Sequence, residues 1–224
     1  MLNYEVDAAL LEKHVPNGTE LDRWNGKLFV SLVGFMFLNT RVLGVGIPFH
    51  RNFEEVNLRF YVRRKADDEV RRGVVFIREI VPRWAIATIA RVVYNENYVA
   101  LPMRHSIAEQ DSDKLNVEYA WRWRNRWNQI KVTTSGAARK AEEGSEEQFI
   151  TEHYWGYAAQ RDGGCVEYRV EHPSWRVWQA GAASFGGDME ELYGRELAAV
   201  IQGKPSSAFL AEGSEVKVLQ GERI

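Results

Sequence analysis

Hydrophobic and polar positions alternate with a period of two over much of the chain. Between Glu54 and Arg63 the alternation is cleanest: Glu54, Val56, Leu58, Phe60 and Val62 share one parity, and Glu55, Asn57, Arg59, Tyr61 and Arg63 the other. That pattern predicts a strand with one face in the core and the other either wet or lining something polar. Leu28–Leu38 (LFVSLVGFMFL) is apolar at both parities, as a central strand covered on each side would be, with Gly34 a candidate bend or bulge. Gly73–Val81 (GVVFIREIV) is a β-branched run whose period sends Arg78 and Glu79 to opposite faces. Asn116–Val132 contains YAWRWRNRW, with Tyr119, Trp121, Trp123 and Trp127 opposed to Ala120, Arg122, Arg124 and Arg126. It predicts one long strand with an aromatic and a basic face.

Residues 135–148 (SGAARKAEEGSEEQ) are polar, acid-rich and without apolar period, which predicts an exposed connection. A hairpin follows, EHYWGYAAQ-RDGG-CVEYRVEH. A two-residue Asp162-Gly163 turn would set Trp155 opposite Val170, Tyr157 opposite Tyr168 and His153 opposite His172. Ser207 to Gly221 reads as another hairpin, turning at Glu212-Gly213-Ser214. Helical spacing occurs at Trp84–Tyr94 after Pro82, at Asp188–Gln202 before Gly203 and Pro205, and over the short Asp7–His14. Many strands and few helices predict an α+β chain of predominantly antiparallel β structure, a barrel or cone with peripheral helices, forming a single domain over 1–224.

Composition narrows the function classes. With 29 Lys+Arg against 31 Asp+Glu the 224 residues carry a formal charge of −2, so nothing draws the whole molecule to nucleic acid or to an anionic membrane. The apolar run at Leu28–Leu38 is far short of the roughly 20 residues of a membrane-spanning helix, and the first residues lack a secretory pattern, so the cytoplasm is the default compartment. A single Cys165 excludes an internal disulfide and a Cys-rich zinc site. The chain has no G-x-S-x-G elbow, Walker loop, dinucleotide fingerprint or H-E-x-x-H. Catalysis would need a constellation assembled by the fold, with no metal and no cofactor expected.

Three constellations are candidates. Glu55, Asn57, Arg59 and Tyr61, with His50 just upstream, would supply a carboxylate for proton transfer and a guanidinium for an anion, or else form a solvated, charge-paired face. Arg78 and Glu79 place a charge pair inside an apolar run, so each needs a partner or a cavity. The rings and arginines of Tyr119 to Trp127 would suit a single-stranded nucleic-acid platform only on one face, and alternation separates them. His153 and His172 lack a third ligand for a metal site, and Cys165 is a small strand residue.

The segments VSLVGFMFLNTRVLGVGIPFHRNFEEVNLRFYVR, RRGVVFIREIVPRWAIATIAR, FITEHYWGY, VEHPSW, DMEELYG and SAFLAEGSEV resemble the YqjF-like bacterial proteins, a family of unknown function. That family is in turn distantly similar to acetoacetate decarboxylase-like proteins, whose resemblance implies a β-barrel or cone around a ligand cavity. In the decarboxylase, a strand ending in Arg-Glu leads through Pro to a lysine pair, one of which forms a Schiff base; the enzyme is a standard example of a lysine activated by a cationic neighbour. Arg78-Glu79 and Pro82 match that pattern, and Glu55 or Glu54 matches an upstream cavity glutamate. Arg83 and Trp84 stand at the lysine positions, and a guanidinium forms no imine, so the decarboxylase activity is not inherited with the fold. The resemblance implies a small-molecule site with Glu79, Arg83 and Glu55 catalytic and His50, Arg59, Arg78 and Trp84 binding. Lyase or proton-transfer chemistry on a small carboxylate or carbonyl compound is one reading, and a non-catalytic small-molecule binder the other. No nucleic-acid or membrane partner is expected, and a homo-oligomer is left open.

Overall fold

The computed structural model describes residues 1–40, 52–66, 68–82, 97–111 and 114–224. The chain opens with β1 (Leu2–Val6), helix α1 (Ala8–Leu11) with a 3-10 turn (Glu12–His14), and β2 (Glu20–Leu21). Three long antiparallel neighbours follow, β3 (Leu28–Phe37), β4 (Phe53–Ala66) and β5 (Glu69–Val81). Then come β6 (Tyr98–Ala100), β7 (Met103–Asp111), β8 (Lys114–Trp123), β9 (Arg126–Lys140) and helix α2 (Glu146–Thr151). β10 (Trp155–Ala159), β11 (Cys165–Glu171) and β12 (Arg176–Gly186) precede helices α3 (Glu190–Tyr193) and α4 (Arg195–Gln202). β13 (Ser207–Ala211), β14 (Lys217–Val218) and β15 (Glu222–Arg223) end the chain.

All described strands join one sheet in the order β14-β11-β10-β5-β4-β3-β1-β13-β12-β9-β8-β7, with β15 on β11, β2 on β4 and β6 on β5. Pairing is antiparallel except where β10 and β6 lie parallel to β5. The two ends do not meet among the described residues, so the sheet folds over itself without closing. Its main core fills the fold: Leu32, Leu58 and Val75 from one wing meet Tyr119, Trp121 and Ile130 from the other. The wings pack tightly at Gly34, where an added Cβ would lie 2.8 Å from both the Tyr119 ring and Ile130. The glycine in the apolar strand therefore serves close approach between layers rather than a bulge. A second, smaller core lies on the opposite side of the first wing, where α2 covers Phe29 and Tyr61 with Phe149 and Ile150.

Five expectations are corrected. YAWRWRNRW is a hairpin, not one strand: Trp123 pairs with Arg126 across Arg124-Asn125, and Arg124 takes φ 49°. The turn reverses the alternation, so Trp127 pairs with Arg122 and is 40% exposed while Trp121 is fully buried. Residues 135–148 are not a bare connection, because β9 runs on to Lys140 along β12 and α2 follows. Ser145 caps that helix by accepting from the Gln148 N–H, while the Gln148 side chain accepts from the Gly144 N–H, a variant of the Ser-x-x-Gln capping box. In the β10–β11 hairpin, Trp155 faces Arg169 and Tyr157 faces Glu167, one residue from the expected register, because the loop is longer and Gly163 takes φ 85°. Residues 207–221 form no hairpin: β13 pairs with β1 and β12, and β14 with β11. The Asp188–Gln202 helix exists but is broken at Gly194, whose φ of 82° no continuous helix allows. The Trp84–Tyr94 helix lies outside the described residues.

Candidate functional site: a buried carboxylate pair

The alternation of β4 decides the site. Val56, Leu58, Phe60 and Val62 enter the main core, and Glu55, Asn57 and Tyr61 are buried on the other face, each no more than 2% exposed. The polar face is thus covered rather than solvated. On β5 the partner positions are Val74 opposite Tyr61, Phe76 opposite Arg59, and Glu79 opposite Asn57. A regular ladder would not put Phe76 and Glu79 on one side, since they are an odd number of residues apart. A bulge between Leu58 and Arg59 leaves Ile77 unmatched. The extra residue re-aims the end of the strand, sending Glu79 to the polar side and Arg78 to the apolar one.

Glu55 and Glu79 therefore share one face on adjacent strands, Glu79 directly opposite Asn57 and diagonal to Glu55, and both are 2% exposed. Asn57 donates its amide N–H to Glu55 Oε1 at 2.9 Å, and the Tyr98 phenol donates to Glu55 Oε2 at 3.2 Å. Burial raises the Glu55 pKa from 4.5 to about 7, with the bonds from Asn57 and Tyr98 and the Arg59 charge pulling the other way. Tyr98 sits on β6 directly opposite Glu79. Arg59, next along the row, donates to the Ile150 carbonyl at 3.4 Å near the end of α2, while its buried Nε has no partner among the described residues. Beyond it, Ser31 Oγ lies 2.6 Å from the Tyr61 hydroxyl and donates to Asn3 Oδ1 at 2.7 Å.

A second buried cluster ends the same face. His153 Nε2 lies 3.2 Å from Asp22 Oδ2, which also accepts from Arg72 Nε at 2.7 Å, and the imidazole packs against the rings of Tyr61 and Phe149. Burial, helped by the Arg72 charge and opposed by the Asp22 hydrogen bond, lowers the His153 pKa to about 4. His172 is not its partner; it stacks on Trp175 with ring centroids 4.2 Å apart.

Of the residues singled out from sequence, Glu55, Glu79 and Arg59 share one face, and Arg78 lies on the other. Glu54 is on that other face too, with His105 Nδ1 at 2.8 Å from its Oε1, so Glu55 and not Glu54 belongs to the pair. His50, Arg83 and Trp84 lie outside the described residues. Tyr98 and the Asp22–His153 contact went unseen in the sequence. Neither sits in a recognisable spacing, and both are brought in by pairing distant in the chain. A surface groove of about 760 Å³ runs beside Tyr154, Arg169, His172 and Lys217 and touches none of the row. Among the described residues no three His, Cys, Asp or Glu side chains are grouped to hold a metal, and no helix is long and apolar enough to cross a membrane.

Comparison with known proteins identifies the fold and the family. Among solved structures, the acetoacetate decarboxylase of Legionella pneumophila superposes with a TM-score of 0.62 at 13% identity, covering 100% of this chain and 82% of that one. An acetoacetate decarboxylase-like enzyme from Sphingomonas wittichii RW1 gives 0.60 at 13% identity, covering 100% and 88%. The enduracididine biosynthesis enzyme MppR, complexed with pyruvate, gives 0.60 at 10% identity, covering 99% and 81%. These likenesses establish an acetoacetate decarboxylase-like fold and nothing finer. In sequence, the uncharacterized protein YqjF of Bacillus subtilis (strain 168) is 28% identical over 202 residues, 87% of this chain and 78% of that protein. The model of DUF2071, described as "Uncharacterized conserved protein (COG2071)", matches residues 1–215, and the chain belongs to that family.

Proposed function

We propose that the protein is an enzyme that moves a proton to or from a small carbonyl or carboxylate compound, with Glu55 as the acid–base group. The observation that carries this reading is a carboxyl group 2% exposed, held near pH 7 by burial against two donated hydrogen bonds. A group poised there gives or takes a proton at neutral pH, which an ordinary solvated glutamate does poorly. Glu79 lies on the same face, diagonal to Glu55 across the two strands. Arg59, whose buried Nε has no partner among the described residues, supplies a fork of donors for the substrate's own carboxylate. Arg83, at the position of the decarboxylase lysine, would stabilise a developing enolate oxygen. It cannot form an imine, so the chemistry runs without a Schiff base.

The test is proton exchange. Pyruvate, the compound named with MppR, is the first probe: its methyl protons are followed by NMR in D2O with and without protein. Exchange above the buffer rate is expected, rising with pH through about 7 as Glu55 ionises, and Glu55→Gln is expected to lower it at least about 100-fold. If pyruvate and other small oxo acids bind saturably yet keep their protons and are recovered unchanged, the protein is a binding module and the enzymatic reading fails.

A further inference from the structure

The bulge that gives Glu79 to the polar face leaves Arg78 opposite Leu58 on the apolar one. Its neighbours there are the main core, in which Leu32, Leu58, Ile80, Met189 and Leu192 are all at most 4% exposed. Among the described residues Arg78 Nε is buried without a hydrogen-bond partner, and no carboxylate pairs with the guanidinium. Helix α3 lies against β5 and carries Tyr193, 7% exposed, whose hydroxyl is likewise buried and, among the described residues, unpartnered. The two groups are electrostatic neighbours: burial raises the phenol's pKa and the Arg78 charge pulls it back. The helix is pinned in place, since Asp188 N–H donates to Asn128 Oδ1 at 2.8 Å and Trp123 Nε1 donates to Glu191 Oε2 at 3.0 Å. Arg78 and Tyr193 therefore do not simply swing apart.

A guanidinium offers only donors, and leaving it unpaired inside an apolar layer is costly. A phenol with no acceptor nearby has a donor to spare. Both deficits are met by one species, an acceptor with negative charge and no bulk. Arg78 keeps partial exposure, so such a species has access to it. We propose that Arg78 and Tyr193 form a site for a small anion of carboxylate size, on the opposite side of the sheet from Glu55 and Glu79. The guanidinium holds the anion with parallel N–H bonds and the phenol adds a third donor. The site does not depend on the acid–base reading of the other face.

Two measurements test it. Sodium formate, titrated at constant ionic strength against sodium fluoride, is expected to raise the melting temperature saturably in the wild type. Arg78→Gln is expected to lose the saturable part, and Tyr193→Phe to weaken the apparent affinity about tenfold, as for a lost hydrogen bond to a charged group. Crystals of the wild type soaked in sodium bromide are expected to show an anomalous peak within hydrogen-bond reach of both residues, a result that needs no variant to fold. Water alone at that place, or a formate response that survives in Arg78→Gln, would overturn the proposal.

Discussion

The two faces of β4 and β5 are made from the same strands and solve burial in opposite ways. On one face Leu58, Phe60 and Ile80 are wholly covered by other apolar side chains. On the other, Glu55, Asn57 and Glu79 are covered to the same degree while keeping polar atoms. The packed centre of the first face draws its strength from contact and area, and Leu58, Phe60 and Ile80 carry nothing that titrates. The second carries a desolvation cost that its hydrogen bonds offset only in part, which is why Glu55 titrates near neutrality. Equal burial therefore says little about what a face does; the charge left inside it says more.

The comparison breaks most severely in the packed face. Trp121→Ala removes a fully buried ring from the meeting point of the two wings and is expected to cost about 3 to 5 kcal/mol, read from urea midpoints, with the same loss at pH 5 and pH 8.

The polar face is sharpened by pH, with opposite signs at its two ends. Glu55 has its folded pKa raised from 4.5 to about 7, so its contribution is complete below 4.5 and is lost as pH rises to 7. On the order of 3 kcal/mol is at stake. Glu55→Gln should remove that decline and be more stable than the wild type at pH 8, though less active. His153 has its folded pKa lowered from 6.5 to about 4, so its contribution is complete above 6.5 and is lost as pH falls to 4. His153→Gln should flatten the acid side of the same curve, measured by denaturant melts from pH 4 to 8.

The smallest effect belongs to the rim, where neither kind of burial operates. Arg63 Nε is 2.9 Å from Glu20 Oε1 with both side chains about half exposed. Arg63→Ala should change stability by less than about 1 kcal/mol and vanish into salt.

Much of this contrast was legible in the residues. The alternation from Glu54 to Arg63 placed Glu55 and Asn57 together, and the conflict of Arg78 with Glu79 placed them on opposite faces. Which face each takes was not legible, because a bulge at Ile77 leaves no mark in a run of β-branched residues. The Arg124-Asn125 turn was hidden for a similar reason: it has no glycine, and Trp127 resumes the parity of Trp121 and Trp123 beyond it. The strand beyond Ser135 owes its form to β12 rather than to its own composition. Ser145 and Gln148, by contrast, did carry a capping signal for α2, set in a stretch whose acidity pointed to a loop.

Because β5 gains a residue at Ile77, its sequence is read in two frames. Val74 and Phe76 mark the polar side in the first, and Glu79 marks it in the second. Loss of Ile77 would straighten the strand and leave every side chain on its present side. Keeping Ile77 while closing the bulge would trade the acid for the base across the sheet, a chemical substitution made with no change of residue. When positions are carried from this chain to a relative, counting back from Glu79 keeps each residue's side only as far as Arg78, and counting forward from Gly73 only as far as Phe76.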